Sequence, residues 1–526
     1  MTTMFKKFLP IILGRENELA VTNERSQAKY GELLQQAESL RPLFAGEKGK
    51  QTVILLALPS GPEFTAVLLA AFAARALVAT IPDKSTTHET RNYLRRIQPD
   101  LVVLDSLRTG RAISEALTRP TAILTRSENE KREEGGEKYS FEGDVILSWP
   151  EIMDAPNSVE PIKPGNHSFP PDTALIQFTS GSTGIPKGIL ITQDNLRACL
   201  EYSQDFLAGF EGQHVFCPIP QFHAFGGAVV LEHLFSGSPV HLTNRFLPGG
   251  DLTRMQEHRC VSILAAPAYF KLLLRLNMLK PELLPNLTSV TIGTASADQS
   301  LISDLQTQMP DLTIHLRYGL TETVGTLSRL SIKPDEMLSS PGLVGKPISE
   351  KWEVRSEKWE VGSGKSFSQD GIYEGAGEIR VKSRIVAAGQ LVGQGGWKPL
   401  TDEDGFFSTG DLGYLDTEGQ LHLRGRISTF IKRNGFRIDP FEIEALVRDM
   451  PGIREAVAVG QPDPLSGQQI VVFAETEPGA EAPDSKAIMK FCMNNLSPHK
   501  VPQRIVLRDA LPRTSSGKPD RKGLKG

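Results

Sequence analysis

The sequence predicts an α/β protein with a large N-terminal domain of several subdomains and a small α+β C-terminal domain. In the large domain, helix-covered sheets are joined by a small antiparallel β unit. Three observations lead there. The chain has 526 residues, more than one core accommodates, because single cores stop growing beyond roughly 250–300 residues. Short apolar runs alternate with helical stretches through the first three hundred residues, which is the mark of a parallel sheet. After Gly377 the pattern shifts to short alternating segments with glycine turns, which is the mark of antiparallel pairing.

The elements follow in order. Residues 52–59 (TVILLALP) form an apolar run ending at a proline, 63–76 are rich in Ala, Leu and Phe, and 77–81 are apolar again up to Pro82. Strand, helix, strand is the simplest parse. Residues 100–104, 122–124, 240–242, 262–265 and 289–292 read as further buried strands, with helices such as 269–276 between them. The charged stretch 127–144 reads as a solvated loop, and 351–361, with its doubled KWEV, as a surface hairpin. Residues 378–381, 406–408 and 420–423 read as the antiparallel unit. Helix 443–450, strands 456–459 and 469–474 and helix 485–495 make the final domain. The division expected is 1–426 for the large domain and 427–526 for the small one.

Composition excludes several function classes. A formal net charge of −4 and the absence of a long basic block argue against a polymer of nucleic acid as partner. Cys199, Cys217, Cys260 and Cys492 stand far apart with no Cys-x-x-Cys pair. This points to reduced thiols of a cytoplasmic protein rather than a zinc site or a disulfide framework. Lys6 and Lys7 precede a mostly apolar run at 8–13 that is too short to span a bilayer. It reads as the opening of the first domain.

The strongest local signal is residues 175–191, LIQFTSGSTGIPKGILI. An apolar strand enters a loop of Thr179, Ser180, Gly181, Ser182, Thr183 and Gly184, and a second apolar segment leaves it. Small residues let backbone N–H groups and hydroxyls close on phosphate oxygens, while Lys187 adds a positive charge. A flexible linker is the bland alternative, but linkers are not pinned between two buried strands. The P-loop of NTPases needs its lysine followed by Ser or Thr and a helix. Here Lys187 is followed by Gly188 and Ile189.

This loop resembles that of the adenylate-forming superfamily of acyl-CoA synthetases, stand-alone adenylation enzymes and beetle luciferases. Other segments match in the expected order. Residues 317–323 (RYGLTET) resemble the Tyr-Gly-x-Thr-Glu segment. Residues 408–413 (STGDLG) resemble its Thr-Gly-Asp segment, and 423–444 its Gly-Arg, Ile-Lys and Pro-x-Glu-Ile-Glu pattern. Residues 511–521 (LPRTSSGKPDR) resemble its C-terminal lysine loop. The resemblance implies a role for each. Tyr318 offers a ring for adenine, Gly319 lets backbone come close, Thr321 donates to the α-phosphate and Glu322 holds Mg2+. Asp411 and Arg426 take the ribose. Gly293, Thr294, Ala295 and Arg317 count among the nucleotide-binding positions, and Lys518 bridges substrate carboxylate and α-phosphate. In isolation each match has an ordinary reading, such as a helix cap or an Asp turn.

The resemblance further implies two half-reactions. ATP and a carboxylic acid first give an acyl-adenylate and pyrophosphate. The C-terminal domain then acts as a mobile lid, turning about a hinge at Ser428 and bringing Lys432 and Gly435 to a thiol tunnel. Acidic or Lys residues are more usual than Ser428 at the hinge. The acceptor is CoA, or alternatively the phosphopantetheine arm of a carrier protein. Residues 220–227 (PQFHAFGG) resemble the segment beside the acid. There His223 is an aromatic gate or a substrate contact, or else a structural histidine. Phe222 and His223 occupy the stretch where amino-acid-activating members carry Asp, which favours a fatty or aryl acid. Phe225, Gly226, Gly293, Val324 and Gly325 would line the pocket. An oxygen-consuming luciferase and a degenerate nucleotide-binding regulator are the competing readings.

Overall fold

The computed structural model describes residues 3–47, 50–105, 121–125, 146–154, 156, 160–170, 172–179, 187–245, 247–295, 297, 299–340, 342–348, 351–355, 377–393, 395–426, 431–433, 436–438, 440–463, 466–496, 500–514 and 519–525. It divides into two compact units. One comprises 1–351 with 382–407, the other 352–381 with 408–526.

The first unit is built on two sheets. One contains, in order of pairing, Leu343–Pro347, Ser328–Ile332, Thr313–Tyr318, Ser289–Ile292, Ser262–Ala265, Val215–Cys217, Val240–Leu242, Leu19–Thr22 and Gln27–Lys29. From Thr313–Tyr318 to Leu19–Thr22 every pairing is parallel. The other runs Gly396–Pro399, Gly389–Val392, Lys187–Thr192, Thr173–Thr179, Leu77–Thr80, Val53–Ala57, Leu101–Leu104, Ala122–Thr125 and Ile146–Ser148. It is parallel from Thr173–Thr179 onward.

The period of two explains why these strands read as unbroken apolar runs. Ile54 and Leu56 point into the core that both sheets share, while Val53, Leu55 and Ala57 point into a second core on the far face. Leu101 and Val103 alternate with Val102 and Leu104 in the same way. In the other sheet Val215 and Cys217 face the shared core and Phe216 faces a third one. Strands buried on both faces lose the polar alternation of a surface sheet. The helix Pro62–Ala74 is apolar all round for the same reason: it lies inside the shared core, with Phe64 and Phe72 essentially inaccessible. Each such side chain contributes about 1.5–3 kcal/mol by burial. Its start is set by Pro62 at the first helical position behind Gly61.

The predicted strands at 52–59, 77–81, 100–104, 122–124, 240–242, 262–265 and 289–292 are all present, as is the helix at 269–276, observed as Pro267–Arg275. The run at 8–13 falls in and just after the helix Thr3–Ile12, which buries Ile12 in the shared core. Residues 127–144 and 356–361 lie outside the described residues. The four cysteines are free and buried. Among the described residues no helix is long and apolar enough to cross a membrane.

The second unit opens with four strands in the order Lys351–Arg355, Gly377–Lys382, Phe407–Leu415 and Leu421–Arg426. Residue 426, the boundary expected from the sequence, ends the last of them. A hairpin, Ile431–Arg433 with Phe436–Ile438, leads to helix Pro440–Arg448. The sheet of Ile453–Asp463, Gly467–Thr476 and Arg504–Arg508 then packs with that helix and with Ser485–Asn495 around Ile443, Val447, Ile470 and Ile488. The strands here are longer than the apolar runs at 456–459 and 469–474. Their ends carry polar residues that the hydrophobic pattern does not mark, yet the backbone pairing continues to Asp463↔Gly467.

Candidate active site

In the first unit the predicted residues gather at the carboxyl ends of parallel strands, where open α/β sheets hold their ligands. Thr179 ends one strand and Lys187 begins the next, and the two are direct antiparallel partners. The Ser/Thr/Gly loop is therefore closed at its base by backbone pairing. Ser180, Gly181, Ser182, Thr183 and Gly184 themselves lie outside the described residues.

Tyr318 is the last residue of its strand and is buried. A side chain at Gly319 would meet the Gly325 carbonyl oxygen at 2.0 Å, so only glycine fits where the chain doubles back. Thr321, Glu322 and Thr323 form one 3-10 turn, closed by the Thr323 hydroxyl on the Leu320 backbone and by Val324 at φ 53°. The turn is anchored from behind by the Ala387 N–H on the Glu322 carbonyl, 2.8 Å. The Glu322 carboxylate makes no hydrogen bond or ion pair among the described residues, and the residue is partly exposed. A half-exposed carboxylate at a fixed turn fits a hard oxygen-seeking cation such as Mg2+.

Gly293 follows the strand Ser289–Ile292 and donates to the Ala265 carbonyl, 3.1 Å. A Cβ on Gly293 would lie 2.1 Å from the Phe225 ring. Thr294 then adopts φ 67°, a left-handed conformation uncommon for a β-branched residue and concentrated at functional sites. Ala295 continues this bend.

His223 caps the helix Ala224–Leu234. Its Nδ1 accepts from the Phe225 N–H at 3.2 Å, which places the proton of a neutral ring on Nε2. A Cβ on Gly226 would meet the Pro220 carbonyl at 2.2 Å, and one on Gly227 the Gln221 carbonyl at 2.8 Å. The glycine pair thus lets this helix seat directly on its own entry turn. Behind it, a small cavity of about 20 Å³ brings together Gln177 of the Thr173–Thr179 strand, Gly227 and Ala228 of the His223 helix, and Val324 of the Glu322 turn. Those three elements therefore share one site.

Arg317, counted among the nucleotide-binding positions from the resemblance, has its guanidinium engaged by a carboxylate. Both its terminal nitrogens donate to Glu232, each at 2.7 Å, and the pair is buried. The Ser203 hydroxyl and the Cys199 thiol also donate to Glu232. Burial pushes the Glu232 carboxyl up, but Arg317 and Arg329 outweigh it, and its pKa lies below the usual range. The Arg317 guanidinium lies 5.4 Å from the centre of the Phe225 ring. A chain of contacts therefore links the buried ion pair to the ring that fronts Gly293. Glu232 is missed in the sequence reading. Its signal is a lone carboxylate in an otherwise apolar helix, which demands a buried partner.

A second cavity, about 550 Å³, opens at the carboxyl ends of Val53–Ala57, Leu77–Thr80 and Leu101–Leu104. Arg25, Lys84 and Arg245 line it together with Glu24, Asp83 and Asp105. The sequence reading does not identify it, since its cations come from three distant loops.

In the second unit Asp411 is buried and stands directly opposite Arg426 in the antiparallel register. The two residues assigned to the ribose thus occupy neighbouring positions. The Thr409 hydroxyl donates to the Ile379 carbonyl and accepts from the Asp411 N–H, bracing this stretch of the strand Phe407–Leu415. Lys432 is in the hairpin, paired with Arg437. Ser428, Gly435 and Lys518 lie outside the described residues. The ends of the Lys518 loop are held nonetheless. Arg513 and Pro519 form an antiparallel bridge, Glu475 accepts from Leu511 N–H and Arg513, and Arg521 pairs with Glu444.

The profile of the AMP-binding enzyme family matches residues 13–390, and that of the AMP-binding enzyme C-terminal domain matches 442–518. The chain is an AMP-binding enzyme. Its relatives within this family include the probable CoA ligase CCL9 of Humulus lupulus, 27% identical over 94% of this chain and 90% of that protein. The oxalate–CoA ligase of Arabidopsis thaliana is 28% identical over 94% and 92%. Among solved structures, ATP-bound MatB from Rhodopseudomonas palustris superposes with a TM-score of 0.80 at 22% identity, covering 100% of this chain and 98% of that one. The O-succinylbenzoate coenzyme A synthetase (MenE) of Bacillus subtilis with AMP superposes with a TM-score of 0.76 at 22% identity, covering 99% and 98%. These structures share the fold, with its large sheeted N-terminal part and small C-terminal domain.

Proposed function

We propose that this AMP-binding enzyme converts a fatty or aryl carboxylic acid to its CoA thioester through an acyl-adenylate. The observation that carries the reading is the gathering of the Thr179–Lys187 hairpin, the Tyr318–Glu322 turn, Gly293 and His223 at strand carboxyl ends in one unit. A carboxylate is a poor acyl donor, and adenylation gives it a good leaving group. The carboxylate oxygen attacks the α-phosphorus and pyrophosphate leaves. A thiolate then attacks the acyl carbonyl and AMP leaves.

Two anions meet in the first step, so positive charge must stand where negative charge accumulates. Lys187 and the backbone of its loop serve the departing phosphates, Thr321 the α-phosphate, and Lys518 the meeting point of acid and nucleotide. Asp411 and Arg426 hold the ribose. Mg2+, bound at Glu322, would neutralise charge on the phosphates. The Phe225 ring and Gly293 form the wall for the acid. Lys432, Gly435 and a hinge at Ser428 serve the thiol step.

ATP–pyrophosphate exchange over a panel of fatty, aryl and amino acids tests the reading, with mass spectrometry of the product formed with CoA or with a phosphopantetheinylated carrier protein. Exchange with an aryl or fatty acid and a CoA thioester is expected. No exchange with any acid, despite ATP binding, sinks the enzymatic reading. A product found only on carrier protein replaces CoA as acceptor. Lys518→Ala should lower exchange by at least ~100-fold with ATP binding retained, and Lys432→Ala should slow thioester formation alone. Loss of the same half-reaction in both variants overturns the two-step assignment.

A further inference from the structure

Three histidines outside the site described above converge on the outer face of the first sheet. His214 immediately precedes the strand Val215–Cys217. His241 is the central residue of Val240–Leu242, and His258 caps the C-terminal end of the helix Pro248–Glu257. The sheet's period of two brings the first pair together. Phe216 is in register with His241, and His214 lies two residues before Phe216, so both imidazoles face the same side. The helix covering that side delivers His258 at its end.

The ring contacts are close. His214 Nδ1 stands 2.8 Å from His241 Nε2. The His241 and His258 rings stack with centroids 3.9 Å apart, and those of His214 and His258 are 6.1 Å apart. One nitrogen from each ring lies within 4.8 Å of one nitrogen from each of the others. An ion about 2.0–2.1 Å from each nitrogen requires mutual spacings somewhat above 3 Å and lies in the plane of each ring; the three rings stand within 18° of parallel, so binding requires the His214 and His258 rings to rotate about Cβ–Cγ as the His214–His241 contact opens. The other nitrogen of His241, Nδ1, is engaged at 2.7 Å by the Thr22 hydroxyl of the neighbouring strand, whose Thr22 is in register with His241. A hydrogen bond on the far nitrogen is what orients a ligating imidazole and sets its tautomer.

We propose that His214, His241 and His258 bind one divalent transition-metal ion of the Zn2+ class, with Thr22 as the positioning residue of His241. Three imidazoles without a carboxylate select Zn2+, Co2+, Ni2+ or Cu2+ over Mg2+ and Ca2+, which take oxygen ligands. The site is therefore distinct in chemistry from the magnesium position at Glu322. It is distinct in place as well. His214 precedes its strand and His258 precedes Ser262–Ala265, so the cluster lies toward the amino ends, whereas the nucleotide and acid residues follow the carboxyl ends. Arg254 is the nearby cation, and its charge is already taken up by Asp251 at 2.7 Å. The role implied is to tie the helix Pro248–Glu257 to two strands, with the remaining coordination position left to water.

The test uses the full chain, free of any histidine tag and stripped with a chelator, without ATP. Titration with Co2+ alone, followed by its visible d–d absorption, should saturate at one equivalent per chain, and Zn2+ should displace it. His258→Ala and His214→Ala should each lose that equivalent. Thr22→Val should retain it with affinity weakened ~10–100-fold. His258 is half-buried at a helix end, so its variant should fold, as checked by circular dichroism and by unaltered pyrophosphate exchange. No bound Co2+ in the wild-type chain overturns the proposal. So does an equivalent that persists in both histidine variants, or an affinity unchanged in Thr22→Val.

Discussion

Glu232→Gln isolates the electrostatic keystone of the first unit. The carboxylate receives both terminal nitrogens of Arg317 at 2.7 Å and the Ser203 hydroxyl at 3.1 Å. Arg329 stands near enough to contribute to its low pKa. Arg329 has little other support: its Nε and one Nη have no hydrogen-bond partner among the described residues, and its guanidinium lies 3.7 Å from the Phe206 ring centre. Glutamine keeps the shape and accepts one bond but leaves two guanidinium groups without a counter-charge. Removing one member of a buried pair costs about 3–5 kcal/mol. The loss should be read as a lower urea midpoint for the first unit, at unchanged m-value. The pH dependence carries a sign. Glu232 has a folded pKa below its ordinary 4.5, so its contribution is fully present above pH 4.5 and fades as pH falls through the folded value. The gap between wild type and variant should therefore narrow below pH 4.5. Because Arg317 also faces the Phe225 ring, the KM for the acid should rise more than the KM for ATP. A loss under about 1 kcal/mol, or an effect confined to ATP, refutes the view that Glu232 is the partner Arg317 requires.

Two further outcomes follow from the same core. Gly293→Ala places a Cβ 2.1 Å from the Phe225 ring. It should raise the acid's KM and cost about 1–3 kcal/mol by overpacking, and Phe225→Leu in the same chain should restore much of both. His233 is wholly buried, and neither ring nitrogen has a partner among the described residues. Burial lowers its pKa from 6.5 to about 4. Its neutral form therefore supports the fold above pH 6.5, and about 3 kcal/mol is lost as pH falls from 6.5 through 4. His233→Leu should flatten that slope in unfolding curves recorded between pH 7 and 4, and an unchanged slope assigns the acid sensitivity elsewhere.

The buried strands were legible because both faces of each are covered, which leaves continuous apolar runs that local reading detects. Their ends were less so. The predicted strand at 406–408 proved to be Phe407–Leu415, because cross-strand pairing with Leu421–Arg426 carries it through polar positions. The Tyr318–Glu322 turn and the hairpin base at Thr179 and Lys187 were legible from glycine, threonine and proline placement, since close backbone approach admits few residue types. The bidentate hold of Glu232 on Arg317 was not, because the partners are 85 residues apart.

By itself the sequence set out an expected chemical kit: a loop of small residues, a carboxylate at a tight turn and a C-terminal lysine loop. Each of these is a local backbone requirement, written in adjacent residues. Tertiary structure alone decided which distant groups face one another. The first sheet places Val240–Leu242 between Val215–Cys217 and Leu19–Thr22, and through that order His241 meets both His214 and Thr22. Non-sequential strand order is a property of the whole core, set by how two apolar faces are covered at once. No window of sequence contains it.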